Sequence, residues 1–159
     1  MDSLDLHRKF MEMAIEVGTE NVKKGGGPFG AVIVKNGEII SVGVNRVTST
    51  HDPTAHAEVN AIRNACSKLE NFELRDCILY TSCEPCPMCL SATYWARIKT
   101  VYYAATREDA ANANFDDDFI YKEIPLHPKE RSIPCLHIDI TNNLQPFNVW
   151  SGLDNKTLY

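Results

Sequence analysis

Two short stretches decide how the rest of this chain is read: Thr54-Ala55-His56-Ala57-Glu58 and Cys83-Glu84-Pro85-Cys86-Pro87-Met88-Cys89. Together they offer one imidazole, two thiols at the i, i+3 spacing of one helical face, and a carboxylate two residues past the imidazole. His56, Cys86 and Cys89 are ligands of the kind zinc prefers, and they leave a tetrahedral ion one ligand short. A structural zinc is normally closed by a fourth protein ligand, whereas a catalytic zinc keeps that position for water. Each stretch falls where a helix begins. Asp52-Pro53-Thr54 announces one whose first turn holds His56 and Glu58, and Pro85 is expected to open the next as its first residue. Two helix N-termini facing the metal favour thiolate over thiol. Glu58 is near enough to a ligand to reach the water and carry its proton without binding the metal itself.

Working outward, Leu6, Phe10, Met13, Ala14 and Val17 recur at helical spacing, so residues about 3 to 23 read as an amphipathic helix, with His7 on its polar side. Gly25-Gly26-Gly27-Pro28 ends it. Phe29 to Val34 and Ile39 to Val44 flank Asn36-Gly37, the signal of a type I′ hairpin. Cys77 to Thr81 and Val101 to Ala104 are short apolar strands, and Glu108 to Ala113 reads as helix. Leu136 to Ile140 is expected to be a fifth strand, parallel to the fourth, and Gln145 to Tyr159 a short helix with a frayed end. The expected architecture is one α/β domain over residues 1–159, a mixed five-stranded sheet with helices on both faces.

With 159 residues, 44% of them hydrophobic, the chain can bury a full core. A net charge of −5 argues against nucleic-acid binding, which depends on basic residues neutralising phosphates. No apolar run approaches the roughly 18 residues of a membrane span, and Met1-Asp2-Ser3-Leu4-Asp5 does not read as a signal peptide. Cys86 and Cys89 read as ligands and Cys66, Cys77, Cys83 and Cys135 as packed thiols, so a reducing, cytoplasmic setting is expected.

At these motifs the chain resembles the cytidine deaminase superfamily, and within it the guanine deaminases of bacteria. Besides the two opening stretches, the resemblance is carried by Gly26 to Val34, Leu79 to Leu90, Tyr94 to Arg97, Phe115-Asp116-Asp117 and Phe119 to Ile124. It departs at Ser91 and Thr93, where the family is expected to have a small and an aliphatic residue. The resemblance implies a three-layer α/β/α fold, one zinc per chain held by His56, Cys86 and Cys89, and Glu58 as proton shuttle. It further implies that Asn45 bonds a ring nitrogen of a purine base, Phe29 stacks on it, and the Ala57 N–H meets an acceptor. Asp117, in competition with Asp116 and Asp118, would accept the N–H donors of guanine. Trp95 is either core or part of a partner's pocket in a homodimer, and Tyr159 would cap the site. The implied reaction is hydrolysis of guanine to xanthine and ammonia, with guanosine or another amino-heterocycle as the alternative substrate.

Two other readings compete. A tRNA adenosine deaminase would share the metal site but need a basic surface, whereas residues 101–159 hold five Lys/Arg against nine Asp/Glu. A structural zinc module without chemistry would close the metal with Cys83 and leave Glu58 idle. His7, His51, His127 and His137 carry no assigned role.

Overall fold

A computed structural model describes residues 3–159 of the chain, which divides into two compact units, one ending at Asp118 and the other spanning Phe119–Tyr159. In the first unit, helix α1 (Ser3–Lys23) is followed by the hairpin β1 (Gly30–Lys35) and β2 (Glu38–Val44). Asn36 and Gly37 turn it with φ of 52° and 78°, the two positive values a type I′ turn requires. A single helical turn, α2 (Val47–Thr50), then leads to α3 (Ala57–Leu69), β3 (Cys77–Cys83), α4 (Pro87–Trp95), β4 (Thr100–Ala105) and α5 (Arg107–Asn112). The strands lie in the order β2-β1-β3-β4, antiparallel except for the parallel pair β3/β4, whose crossover is α4.

Strand β1 is buried on both faces, which accounts for its unbroken apolar run. Val32 and Val34 point with Tyr80 toward Phe10 and Ala14 of α1, while Ala31 and Ile33 point with Leu79 toward Ala57, Ala61 and Ala65 of α3. Small residues on α3 let it lie close to the sheet. The approach is closest at Gly43 of β2, where an added Cβ would overlap the Ala57 carbonyl and the Ala61 N–H. Ser41 fastens the same contact, its buried hydroxyl donating to the Ala61 carbonyl at 2.7 Å. Helices thus cover both faces of a mixed sheet, as expected.

Cys135 is exposed and not a packed thiol, and three further expectations need correction. The sheet has four strands, not five. Residues 136–140 join no ladder among the described residues, and Leu136, Ile138 and Ile140 are 69%, 77% and 53% exposed. Alternating apolar residues make a segment fit for a strand, but a strand exists only where a neighbour supplies main-chain partners. Pro87, not Pro85, is the first residue of α4, because Cys86 keeps the extended conformation of an N-cap. His7 is not on a solvated face: it is half-buried, hydrogen-bonded to the Tyr80 hydroxyl at 2.7 Å and 4.5 Å from the Tyr102 ring. A buried tyrosine hydroxyl needs a partner, and that need draws the imidazole inward.

The second unit contains α6 (Asp118–Glu123), whose first residue closes the first unit, and α7 (Gln145–Ser151), joined by turns and extended chain. Arg131 holds its own loop by donating to the Ile124 carbonyl at 2.9 Å, and Ser132 donates to Glu123. No helix among the described residues is long and apolar enough to cross a membrane.

Candidate active site

Local sequence places the ligands before any tertiary contact is made. His56 is the N-cap of α3 and Cys86 the N-cap of α4, both in extended conformation, and neither side chain caps its own helix. Both are therefore left to point away from the helix axis. Cys89 follows one turn into α4 and Glu58 sits in the first turn of α3. The pairing of β1 with β3, in which Ala31 faces Thr81, sets the start of α4 beside the start of α3.

The result is one cluster. Cys86 Sγ and Cys89 Sγ each lie 3.5 Å from His56 Nδ1, and all three donor atoms fall within 4.8 Å of one another. Zinc with Zn–S near 2.3 Å and Zn–N near 2.0–2.1 Å sets tetrahedral N···S edges of about 3.6 Å, so the nitrogen and two sulfurs fit that ion closely. The neighbouring Cys89 sulfur first, and His56 after it, hold the Cys86 thiol well below its ordinary value. A divalent cation bound between these sulfurs would take the place of their protons.

Glu58 is 5% exposed and accepts a hydrogen bond from the Cys89 thiol at 3.4 Å. Burial, more than any neighbouring charge, holds its carboxyl above the usual carboxylate range. A carboxyl easily protonated beside a metal group suits a residue that must take and return a proton. Cys83 is excluded as a fourth ligand. Its thiol donates to the Thr106 carbonyl at 3.5 Å, and burial, followed by the charge of Glu58, pushes it up to about 11. The structural-zinc alternative thus lacks its closing ligand, and the metal group among the described residues remains His56, Cys86 and Cys89.

Two cavities are lined in part by the chain just before Cys86, and neither is lined by the three metal donors or Glu58. One, of about 490 Å³, is lined by Glu84, Arg107 and Asp116 to Asp118. Asp117 is half-buried whereas Asp116 and Asp118 are exposed, and Asp116 is occupied in accepting the Asp118 N–H at 2.9 Å. Burial, then the Cys86 charge, pushes the Asp117 carboxyl up. The other cavity, of about 320 Å³, is lined by Phe29, Cys83 and Phe115, with the Phe115 ring edge-on to Phe29 at 5.0 Å. Asn45 leaves β2 with its Oδ1 accepting the Val47 N–H at 3.3 Å, and Ala57 is fully buried at the first position of α3. Trp95 lies at the opposite end of α4, roughly 13 Å along the axis from Cys86, and is 64% exposed. Tyr159 belongs to the second unit and is 74% exposed.

Sequence reasoning missed Glu84 and Arg107. Glu84 accepts the Arg107 backbone N–H at 3.1 Å and pairs with its Nε at 3.3 Å, tying the ligand loop to the start of α5. Nothing in the spacing from Glu84 to Arg107 announces that contact, because it is made only by the parallel pairing of β3 and β4. Ser91 and Thr93, the two departures from the expected pattern, turn their hydroxyls back onto the Pro87 and Leu90 carbonyls of α4.

Residues 4–105 match the cytidine and deoxycytidylate deaminase zinc-binding region, and the chain belongs to that family. Within it, the chain is 57% identical to the guanine deaminase of Bacillus subtilis (strain 168) over 154 residues, 96% of this chain and 99% of the relative. The X-ray structure of guanine deaminase from Bacillus subtilis superposes with a TM-score of 0.94 over 96% of this chain and 98% of that one. The structure of NE0047 in complex with 2,6-diaminopurine matches at 34% identity and a TM-score of 0.66, over 68% of this chain and 61% of that one. A tRNA-specific adenosine deaminase of Aquifex aeolicus (strain VF5) is 45% identical over 96 residues, 60% of this chain and 64% of the relative. The fold is thus the α/β cytidine-deaminase-like fold, and His56, Cys86 and Cys89 form a group able to hold one zinc ion.

Proposed function

We propose that this chain hydrolyses the exocyclic amine of guanine, giving xanthine and ammonia. The observation that carries the reading is the buried carboxyl of Glu58 beside a three-donor zinc group, in a chain similar over nearly its full length to a guanine deaminase. Zinc held by His56, Cys86 and Cys89 supplies a hydrolytic nucleophile at neutral pH. Glu58 takes one proton from the attacking water and delivers it to N3 of the base as the new C–O bond forms at C2. The second water proton passes, with the help of Asp117, to the exocyclic nitrogen. The C2–N bond breaks, ammonia leaves, and the C2 carbonyl of xanthine remains.

Recognition follows from donors and acceptors. Asp117 accepts the N–H groups that guanine presents at N1 and N2, a role its half-buried position supports over those of its exposed neighbours. The Asn45 oxygen is engaged by the Val47 N–H, so the amide has its N–H groups to offer a ring nitrogen. Phe29 stacks on the base, and the Ala57 N–H, unpaired within its own helix as a first-turn donor, meets an acceptor on it. Trp95 belongs to a partner's pocket in a homodimer, a reading supported by the exposure of Tyr94 and Trp95 at the end of α4. The excess of four negative charges over residues 101–159 weighs against a tRNA substrate. The cysteine pattern suits a reducing, cytoplasmic setting.

An ammonia-release assay across guanine, guanosine, adenine, adenosine and cytosine tests this. Guanine is expected to be turned over with the highest kcat/KM. Faster turnover of a nucleoside or of cytosine would overturn the assignment.

A further inference from the structure

The two side chains given to the purine, Phe29 and Asn45, come from different segments, and both segments are held by a single residue that touches neither the metal group nor either cavity. Asn21 lies in the last turns of α1. Its Nδ2 donates to the Gly27 carbonyl at 2.9 Å and to the Asn45 carbonyl at 2.8 Å, so both hydrogens of the amide are used. Its own backbone carbonyl accepts the N–H groups of Lys24 at 3.1 Å and Gly26 at 2.9 Å. The Gly27 carbonyl also accepts the Phe29 N–H at 2.9 Å, and the Phe29 carbonyl accepts the Asn45 N–H at 3.2 Å. Asn21, Gly27, Phe29 and Asn45 form a closed ring of hydrogen bonds. At Gly27 a Cβ would come within 2.9 Å of the Asn45 Cγ, so the loop backbone and the Asn45 side chain are packed against each other without spare room.

We infer that Asn21 is a positioning residue for base recognition, fixing the separation between the ring that stacks on the purine and the amide that bonds its edge. This rests on the guanine reading given above. Each of these hydrogen bonds adds only modestly to stability, whereas an amide that bridges the carbonyls of two remote segments fixes their spacing. Zinc ligation and the Glu58 proton path lie on α3 and α4 and do not pass through this ring.

The test compares the zinc-loaded wild-type protein with Asn21→Leu, which keeps the branching at Cγ and removes both donors, and with Gly27→Ala, which presses on Asn45 from the other side. KM for guanine is expected to rise roughly five- to twenty-fold in each, with kcat within about two-fold and zinc content unchanged. If the wild-type protein prefers another amino-heterocycle, the guanine reading fails by itself, and KM for that substrate becomes the measure. An unchanged KM in both variants overturns the inference. So does a loss of kcat that follows zinc loss or a lowered Tm in both, since that is the mark of a merely structural residue.

Discussion

At the residue scale, the proposed mechanism divides the proton chemistry between Glu58 and Asp117. Glu58→Gln preserves shape and hydrogen bonding but cannot exchange a proton. It is expected to retain one zinc per chain and to lose about 10²- to 10⁴-fold in kcat, measured by ammonia release beside metal analysis. Release at the wild-type rate would remove Glu58 from the mechanism. Asp117→Asn should lower kcat/KM on guanine by at least about ten-fold, whereas Asp116→Asn and Asp118→Asn change it less than about three-fold, because both neighbours are exposed. Equal effects at all three positions would mean that the acidic run acts as a diffuse field.

Helix seating governs the site at the element scale. Gly43 is the point where β2 and α3 come closest, and α3 carries His56 at its cap and Glu58 in its first turn. Gly43→Ala is expected to destabilise the fold by about 1–3 kcal/mol and to weaken zinc retention against a chelator, since the helix must lift to admit a methyl group. Wild-type Tm and zinc retention in that variant would contradict the seating. Helix α5 begins with a capping box in which Asp109 accepts the Thr106 N–H and hydroxyl at 2.8 Å each. Thr106→Ala should cost about 1 kcal/mol of stability. The backbone N–H of Thr106, and then its hydroxyl, hold the Asp109 carboxyl below its ordinary value. Stability from this box is therefore full above the ordinary aspartate pKa and is lost as pH falls through the lower folded value. Asp109→Asn should flatten that acid-side fall in Tm.

For the whole molecule, the decisive question is what closes the metal. Cys83→Ser is expected to keep zinc at one per chain, because the Cys83 thiol faces Thr106 instead of the cluster. Loss of metal in that variant would revive a closed, structural site. Many large apolar side chains are exposed on both units, Tyr94 and Trp95 in the first and Ile133, Leu136, Ile138 and Phe147 in the second. Such surface is more than a lone chain usually leaves to water. Sedimentation is expected to show a homodimer, and a monomer at micromolar concentration would count against it.

The ligands, the hairpin and the first helix were legible in the residues themselves, because each depends on local chemistry. A histidine and two cysteines at helix starts, Asn-Gly between apolar strands, and a 3.6-residue period act over a few positions of chain. The start of α4 lies two residues past the one the local rule favours, because both Pro85 and Pro87 satisfy that rule, and only Cys86 turning toward His56 selects between them. Residues 136–140 looked like a strand because alternation is local, yet a strand needs a neighbour, and tertiary structure alone supplies one. The Glu84–Arg107 pair, the inward turn of His7 and the bridge made by Asn21 were likewise invisible beforehand. Composition and short spacings determined which chemistry this chain carries. Contacts between segments remote in sequence decided which groups frame it, because their separations are set by strand order and helix packing and are written in no single stretch.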